Sequence, residues 1–287
     1  MNSKKIASGF AIFAALLYAI NIPMSKLLLN YVDAVMMASF LYLGAGIGLF
    51  MYGLLKKDKK VERLTKKELP YTIAMVVLDI IAPILLMFGI TMTNSANVSL
   101  LNNFEIVATS LIALFIFKEV ISKRLWIAIF LVVVATIVLS FEGTSAFVFN
   151  KGSLLVLGAC ICWGFENNCT KMISNKSSVE IVTIKGIFSG LGSLIVALII
   201  GESIPSFMYL FLVLLLGFIS YGLSINFYIK AQSVIGAAKT SAYYSVSPFL
   251  GVIFSLLFLG EVPSIQFYIA LFIMIISTII MVKDTFN

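Results

Sequence analysis

The sequence predicts an all-α integral membrane protein whose ten transmembrane helices form two inverted five-helix repeats. Of its 287 residues, 61% are hydrophobic and only 11% are charged, whereas about 25% are charged in an ordinary soluble domain. Apolar runs long enough to cross a bilayer alternate with short polar loops. Two segments of the first half recur in the second half at nearly constant offsets. A soluble fold could not bury this much apolar surface, so lipid is expected to surround most of the protein.

Ten apolar runs account for nearly the whole chain. About 20 apolar residues cross a bilayer as a helix, and the loops between the runs are short, so neighbouring helices are expected to be adjacent. The first run ends in "NIPMSKLLLN" rather than at a small-residue cleavage site, so we interpret it as a membrane helix and not as a signal peptide. The predicted spans are 6–29, 33–55, 70–91, 97–117, 124–141, 152–173, 179–200, 206–228, 238–258 and 264–283.

The distribution of Lys and Arg predicts the orientation. With a cytoplasmic N-terminus, sixteen of the 20 basic residues lie on the cytoplasmic side, seven of them in the run "KKDKKVERLTKKEL" at 56–69, and only Lys26 and Lys151 lie outside. The positive-inside rule therefore predicts that both termini are cytoplasmic. It also accounts for the net charge of +7, so no nucleic-acid partner is expected. We expect a multi-pass protein of the cell (plasma) membrane.

Each half of the chain contains a copy of one helical pattern. Segment 15–29, "ALLYAINIPMSKLLL", aligns with 160–174, "CICWGFENNCTKMIS", at an offset of 145. Segment 94–120 aligns with 236–262 at an offset of 142, and both segments end in a glutamate followed by Val. The chain is therefore predicted to be built from two related units.

The number of helices per unit decides how the units are related. The predicted repeats are 1–147 and 148–287, with five helices each. Because five is odd, the second repeat enters the membrane in the opposite sense. Inverted repeats are typical of transporters, in which the substrate site lies near the bilayer midplane between the two halves.

This layout resembles the EamA-type members of the drug/metabolite transporter superfamily. The matching features are the ten spans, the five-plus-five repeat and a ninth helix, "GAAKTSAYYSVSPFLGVIFSLLFLGEV", that runs from small residues through a Pro to a terminal glutamate. The first half departs from the pattern, since Ile106 occupies the usual Pro position with Glu105 beside it. The resemblance implies transport of amino acids, metabolites, nucleotide-sugars or drugs, often outward and in several relatives in exchange for protons.

Five ionisable residues inside the predicted spans need a physical reason. They are Asp79, Glu105, Glu166, Lys185 and Lys239. Each ionised group at the centre of a lone helix costs about 2.5–3.5 kcal/mol on insertion scales. These residues must therefore be off-centre, paired, neutralised or facing a wet cavity.

Glu166 is the strongest functional candidate. Trp163 and Thr170 share its helical face, and the related first helix carries Tyr18 and Asn21 at matching positions. An acid with aromatic neighbours suits a cation or an ammonium group. The alternative is a carboxyl that hydrogen-bonds within the bundle and only locks helices together.

The other two acids also allow two interpretations. Asp79 lies one turn before Pro83, which frees a backbone carbonyl and predicts a kink, so the position suits an ion or proton site or a structural kink. Glu105 follows two Asn residues beside the missing Pro, which suggests a site local to this protein or a structural acid.

The lysines and the terminal glutamates have simpler explanations. Lys185 and Lys239 lie near the cytoplasmic ends of their spans, where they either snorkel to the interface or, for Lys185, pair with Glu166 or a substrate carboxylate. Glu119 and Glu261 end their helices at the water boundary and are expected to be structural.

The candidate site draws residues from both repeats. Tyr243 and Tyr244 adjoin the positions related to the Asn pair of the first repeat, so one of the two should face the interior and the other lipid or a neighbouring helix. The site is expected to be lined by the first, third, fourth, sixth, eighth and ninth spans. The predicted substrate-binding residues are Tyr18, Asn21, Trp163, Glu166, Asn167, Lys185, Tyr243 and Tyr244. The predicted coupling carboxylates are Glu166, Asp79 and Glu105.

The predicted function is secondary active transport of a small polar metabolite, such as an amino acid, an amine or an organic cation. The two halves would alternate access to a midplane site, with protons as the simplest coupling ion, and export is expected because the resembling family leans that way. No Walker motif is present, no cofactor is expected, and the absence of His argues against a metal site. The fifth and tenth helices would pack outside or against a second copy in a homodimer.

Three other classes of function were weighed. A passive channel or a lipid-translocating protein is the main alternative, and the inverted repeat argues mildly against it. A membrane enzyme is disfavoured because no nucleophile–base pair is evident. A structural or sensory protein should have lost its costly intramembrane acids.

Overall fold

The computed structural model describes residues 2–55, 62–118, 122–140, 150–235, 240, 243–244, 246–260 and 263–286. Across these residues the chain forms helices, turns and irregular connections and no strand, which confirms the predicted all-α class. Glu119, Lys239, Glu261 and the predicted repeat boundary at 147/148 lie outside the described residues.

The helices follow the apolar runs of the sequence. They are α1 (Asn2–Ala19), α2 (Asn21–Leu28), α3 (Ala34–Leu55), α4 (Leu69–Met92), α5 (Ser95–Leu101), α6 (Phe104–Phe115), α7 (Lys123–Ser140), α8 (Lys151–Ile173), α9 (Ser178–Ile199), α10 (Phe207–Gly217), α11 (Ser224–Ile235), α12 (Ser247–Leu259) and α13 (Ile265–Phe286). A short 3₁₀ turn, Lys66–Glu68, precedes α4, and a π-helical stretch, Phe218–Leu223, joins α10 to α11. Pro83 lies inside α4, which continues as one helix.

The lengths of these helices make the chain a multi-pass membrane protein. The described residues contain six helical segments long and apolar enough to cross a bilayer: Lys4–Leu28, Ala34–Leu55, Lys66–Met92, Ser95–Phe115, Ser178–Ile199 and Phe207–Ile235. Shorter apolar helices cover Trp126–Val138, Ser247–Leu259 and Ile265–Ile280. The outer faces of the bundle carry many exposed Ile, Leu and Phe side chains, as expected of a surface in contact with lipid.

Helices of the first half pack on helices of the second half. The most extensive contacts join α3 with α9 and α4 with α8. α7 packs on α13, α1 on α11, and α5 on α12. The core is therefore built between the two halves of the chain rather than within each half.

Glycines permit the closest of these crossings. A Cβ atom added to Gly186 on α9 would lie 2.3 Å from the backbone nitrogen of Gly46 on α3. One added to Gly44 would lie 2.1 Å from the carbonyl oxygen of Leu214 on α10. Small residues at helix interfaces let backbones approach in this way. α3 therefore packs at close range against two helices of the second half, α9 and α10.

Several membrane helices are interrupted near their middle. Within the described residues, α1 gives way to α2 at Ile20, α5 gives way to α6 at Asn102 and Asn103, and the π-helical stretch Phe218–Leu223 interrupts the segment from α10 to α11. Irregular backbone at membrane depth is tolerated where it is buried in protein or lines a wet cavity. π-helical turns are also frequent at functional sites. The interruptions therefore indicate where a site should be sought.

Candidate functional site

A buried ion-pair cluster lies between α4, α8 and α9. The Lys185 Nζ atom lies 3.0 Å from Asp79 Oδ2 and 2.9 Å from Glu166 Oε1. All three side chains are buried, with Lys185 only 4% exposed. Lys185 therefore does not snorkel to the membrane surface; it pairs with Glu166, as one of the two sequence interpretations proposed, and also with Asp79.

Additional donors contact one oxygen of each carboxylate. The Tyr42 hydroxyl donates to Asp79 Oδ1 over 2.8 Å, and Trp163 Nε1 donates to the Tyr42 oxygen over 3.5 Å. The Thr170 hydroxyl donates to Glu166 Oε1, one helical turn away on α8. Buried ion pairs are stable only when such hydrogen bonds satisfy their remaining lone pairs. The cluster is thus a connected network that involves α3, α4, α8 and α9.

Glu105 belongs to the same region but has a different partner. Asn167 Nδ2 donates to Glu105 Oε1 over 2.6 Å and lies 3.3 Å from Thr109 Oγ1. None of the ion pairs within the described part of the chain includes Glu105. Three carboxylates and one ammonium therefore share this region, which leaves a formal excess of negative charge when all four are ionised.

Tyrosine rings form a connected group beside these charges. The ring centroids of Tyr18 and Tyr244 lie 5.8 Å apart, those of Tyr228 and Tyr244 lie 5.0 Å apart, and those of Tyr42 and Tyr221 lie 5.0 Å apart. Tyr18 also meets Tyr221 edge-on at 5.7 Å. Such tilted and edge-on arrangements are the favoured geometries for aromatic pairs.

The charges and the rings line a central cavity of about 50 Å³. It is small enough to hold only about three to five water molecules at roughly 10–15 Å³ each. A side pocket of about 20 Å³ adjoins it and shares Tyr18, Glu105, Tyr228 and Tyr244. The central cavity is lined by Tyr18, Tyr42, Glu105, Trp163, Glu166, Asn167, Thr170, Lys185, Tyr221, Ile225, Tyr228, Ile229 and Tyr244.

A much larger vestibule of about 790 Å³ lies at one end of the bundle. It is lined by the end of α3, the turn between α8 and α9, and the end of α11, and it includes the basic residues Arg63, Lys176 and Lys230. Ile229 lines both the vestibule and the central cavity. The vestibule is at the end of the bundle predicted to face the cytoplasm.

Polar contacts tie the loops at this vestibule end. Lys176 Nζ lies 2.7 Å from Glu62 Oε2, and the backbone amide of Ser177 donates to the carbonyl oxygen of Glu62 over 3.0 Å. The hydrogen bond from Lys176 holds the pKa of the Glu62 carboxyl below its ordinary value, and the same contact raises the pKa of Lys176. These contacts fix the segment before α4 to the α8–α9 turn.

A carboxylate contacts the N-terminus of α3 at the opposite end of the bundle. Glu202 accepts hydrogen bonds from the backbone amides of Val35 and Met36 over 3.1 and 2.6 Å, at the N-terminus of α3. The backbone amide of Ser203 donates to Asp33 Oδ2 over 3.2 Å. An acid at a helix N-terminus is favourable because it meets unpaired amides and the positive end of the helix dipole.

The structure brings most of the predicted site residues together. The predicted residues that line the central cavity are Tyr18, Glu105, Trp163, Glu166, Asn167, Lys185 and Tyr244. Asn21 lies behind this lining, where it donates to the Tyr221 hydroxyl over 3.3 Å. Asp79 also lies behind it, paired with Lys185.

Two parts of the prediction need correction. Tyr243 lines neither the central cavity nor the side pocket, because adjacent residues on a helix point about 100° apart. The predicted set of spans omitted the second and the seventh, yet Tyr42 on α3 and Lys185 on α9 both line the cavity. Four further lining residues were not predicted from the sequence: Tyr42, Tyr221, Tyr228 and Thr109. Their only signal was a hydroxyl group within an otherwise apolar run.

Comparison with known families agrees with this architecture. The model of the EamA-like transporter family matches residues 5–141 and 150–283. The chain belongs to this family. The resemblance seen in the sequence is therefore confirmed, and this EamA-family protein is a membrane protein of a transporter family.

Individual relatives add two points. A protein of Methanothermobacter thermautotrophicus named "Uncharacterized transporter" is 26% identical over 276 residues, which cover 89% of this chain and 80% of the relative. A solved crystal structure aligns with a TM-score of 0.74 over 97% of this chain and 96% of its own, at 12% sequence identity. That likeness concerns the EamA-family fold alone.

Proposed function

We propose that this EamA-family protein is a secondary active transporter of small polar metabolites that carry a positive charge, such as amino acids, amines or organic cations. The observation that supports this most directly is the cavity lined by Glu105, Glu166 and Lys185, with Asp79 paired to Lys185 behind the lining, so that three carboxylates accompany one ammonium group. Buried charge without compensation is costly. A cationic ligand or a proton would supply the missing positive charge, and a transporter needs such a group to bind and then release its cargo.

Alternating access between two inverted five-helix repeats would move the ligand across ten spans. The helix contacts support this proposal, because they are symmetric when spans are numbered one to ten. Span two packs on seven, four on nine and five on ten, while one packs on eight and three packs on six. A two-fold exchange of the halves maps this set of contacts onto itself. Because the halves are similar, each can adopt the conformation of the other. The bundle can then open to one side of the membrane or to the other, with the site remaining between the halves.

Access from the vestibule favours loading on the predicted cytoplasmic side. The vestibule reaches Ile229, whereas the opposite end is held by Glu202 at the start of α3. A ligand that enters from the cytoplasm and leaves outside would be exported. We therefore propose export across the plasma membrane, with both termini cytoplasmic and the outer faces of α7 and α13 against lipid or a second copy.

Proton coupling would use the carboxylates of the ion-pair cluster, with Glu105 as a third candidate. Lys185 contacts both Asp79 and Glu166, so one proton on either acid would leave a neutral pair. Exchange of that proton against substrate charge would couple the two fluxes.

Transport by the purified protein in proteoliposomes tests the proposal. A panel of radiolabelled amines, amino acids, organic acids and sugars should give saturable uptake for cationic or zwitterionic members, with counterflow against preloaded substrate. A passive channel would give flux that does not saturate and shows no counterflow. A lipid-translocating protein would instead exchange labelled phospholipid between leaflets. Either result would replace the transporter proposal.

A further inference from the structure

Glu105 lies at a backbone interruption beside the cavity. It is in the first turn of α6, directly after the turn at Asn102 and Asn103 that separates α6 from α5. Its side chain lines both the central cavity and the side pocket. The side chain therefore borders open volume rather than lying wholly against packed side chains.

The charge of Glu105 lacks the compensation that the other two acids have. Asp79 and Glu166 share the ammonium of Lys185, whereas Glu105 receives an amide hydrogen bond from Asn167. An amide donor satisfies a lone pair but does not neutralise a charge. A carboxylate in such surroundings favours a cation as neighbour.

A second group points to a ligand with hydrogen-bond donors. Asn103 is 2% exposed and lines the side pocket. Its Oδ1 atom has no hydrogen-bond partner among the residues that the structure describes, while its amide nitrogen contacts Met274 Sδ at 3.5 Å. Buried acceptors are almost always paired in native proteins. A ligand donor that reaches this atom would satisfy the acceptor.

Aromatic faces complete the surroundings of Glu105. Tyr18, Tyr228 and Tyr244 line both the central cavity and the side pocket. Organic cations are attracted to aromatic faces within about 6 Å of the ring centroid. The combination of an acid, an amide oxygen and rings matches an organic ammonium group better than a metal ion, since the described residues contain no group of three metal-ligating side chains.

We propose that Glu105, Asn103 and the three tyrosines form the subsite for the ammonium group of the substrate, and that the ligand class is a small organic amine protonated on a nitrogen that bears N–H donors. This inference rests on the proposed function and narrows its substrate class. It assigns Glu105 to substrate binding and leaves Asp79 and Glu166 with Lys185 for coupling.

Binding of a matched series of probes to the full-length protein in detergent tests the subsite. The probes are n-butylammonium, butyltrimethylammonium, which keeps the charge but has no N–H donor, and butan-1-ol, which has no charge. Isothermal titration calorimetry and thermal shift would be measured on the wild type, Glu105→Gln, Glu105→Asp and Asn103→Leu. Glu202→Gln is the matched control, because it makes the same chemical change at a carboxylate remote from the cavity.

We expect n-butylammonium to bind the wild type and Glu202→Gln alike, and both other probes to bind at least about tenfold more weakly. Glu105→Gln should lose about tenfold or more in affinity for n-butylammonium, Glu105→Asp should lose less, and Asn103→Leu should reduce the preference over butyltrimethylammonium. Calorimetry on samples with unchanged melting temperature and size-exclusion profile separates loss of binding from loss of fold.

Three results would overturn the subsite: no binding of n-butylammonium by the wild type, equal binding of butan-1-ol, or unchanged affinity in Glu105→Gln. Equal binding of butyltrimethylammonium would overturn the ligand class. These failures differ from failure of the proposed function. Saturable transport of another substrate class with no ammonium binding would overturn the subsite and support the transporter proposal. Ammonium binding without saturable flux or counterflow would support the subsite and overturn the transporter proposal.

Discussion

The ammonium of Lys185 on α9 lies 2.9 Å from the carboxylate of Glu166 on α8, with both side chains buried. The same ammonium lies 3.0 Å from Asp79 on α4. A single cation thus joins an acid from each half of the chain. The stability of the bundle and the coupling of transport are expected to depend on the same three side chains.

Removal of Lys185 should be strongly destabilising. Lys185→Met leaves two buried acids without their cation, and breaking a buried pair in this way costs about 3–5 kcal/mol. Thermal unfolding in detergent should show a large fall in melting temperature. The triple variant with Asp79→Asn and Glu166→Gln should recover most of it, since no charge is then left uncompensated. If Lys185→Met alone were as stable as the wild type, Asp79 and Glu166 would not both be ionised in the folded protein.

Local helical spacing was enough to predict part of this site. Trp163, Glu166 and Thr170 share a face because they are three and four residues apart on one helix, and the hydrogen bond from Thr170 to Glu166 follows that spacing. No rule of spacing joins Lys185 to Asp79. That contact depends on how α9 packs on α4 and α8, which is a property of the assembled bundle.

The missed residues show the same limit. Tyr42 and Tyr221 occur in apolar runs, where nothing in the sequence distinguishes a tyrosine that faces a cavity from one that packs in the core. Tyr42 reaches Asp79 through the packing of α3 on α4, which no local spacing in the sequence predicts. Tyr243 and Tyr244 were both included among the candidate residues because the sequence could not decide which of the two faces the interior, and only Tyr244 lines the cavity and the side pocket.

Substitution of Gly186 should disrupt the crossing of α3 and α9. The Cβ atom alone would lie 2.3 Å from the backbone nitrogen of Gly46, so the backbones must separate. Gly186→Leu should cost about 1–3 kcal/mol or more, as overpacked sites do. Gly9→Ala is the control, because nothing lies within 4 Å of its added Cβ, and it should be neutral or stabilising by about 0.5–1 kcal/mol. Equal melting temperatures for the two variants would contradict this packing.

The pair of Glu62 and Lys176 should make the vestibule end sensitive to pH and salt. The pKa of Glu62 is lowered and that of Lys176 is raised by their contact. The stabilisation is therefore present between the ordinary pKa values of glutamate and lysine. It is lost as the pH falls through the lowered folded-state pKa of Glu62, or rises through the raised folded-state pKa of Lys176.

Hydrogen exchange of residues 62–68 measures this effect. Exchange, corrected for its intrinsic pH dependence, should increase below the ordinary glutamate pKa and at high ionic strength, since exposed pairs are screened by salt. Lys176→Gln should exchange faster at neutral pH, lose the salt dependence and keep only the part of the pH dependence that comes from Glu68, whose pKa is lowered by its hydrogen bonds from Thr65. Persistence of the full pH dependence in Lys176→Gln would assign it to another group.

Ile229 should control passage between the vestibule and the central cavity. It lines both spaces and is fully buried. Ile229→Trp should fill the passage and reduce uptake in proteoliposomes to nearly the rate of empty liposomes, whereas Ile229→Val should retain most activity. Because the change should block access rather than folding, both variants should keep the wild-type size-exclusion profile. Normal uptake by Ile229→Trp would place the route elsewhere.

Glu166→Gln should separate substrate exchange from proton coupling. The groups around Glu166 are Lys185, Asp79 through that lysine, and the Thr170 hydroxyl, with Glu105 lining the same cavity. A glutamine cannot exchange a proton, but it can still accept hydrogen bonds from Lys185 and Thr170, so the fold should be retained. We expect counterflow at equal pH to continue, while uptake driven by an imposed pH gradient falls to the level without a gradient. Asp79→Asn, tested beside it, shows whether one acid or both carry the proton. Gradient-driven uptake that stays fully pH-dependent in both variants would show that Asp79 and Glu166 do not carry the coupled proton. Glu105 would then be the remaining acid that lines the cavity and could carry it.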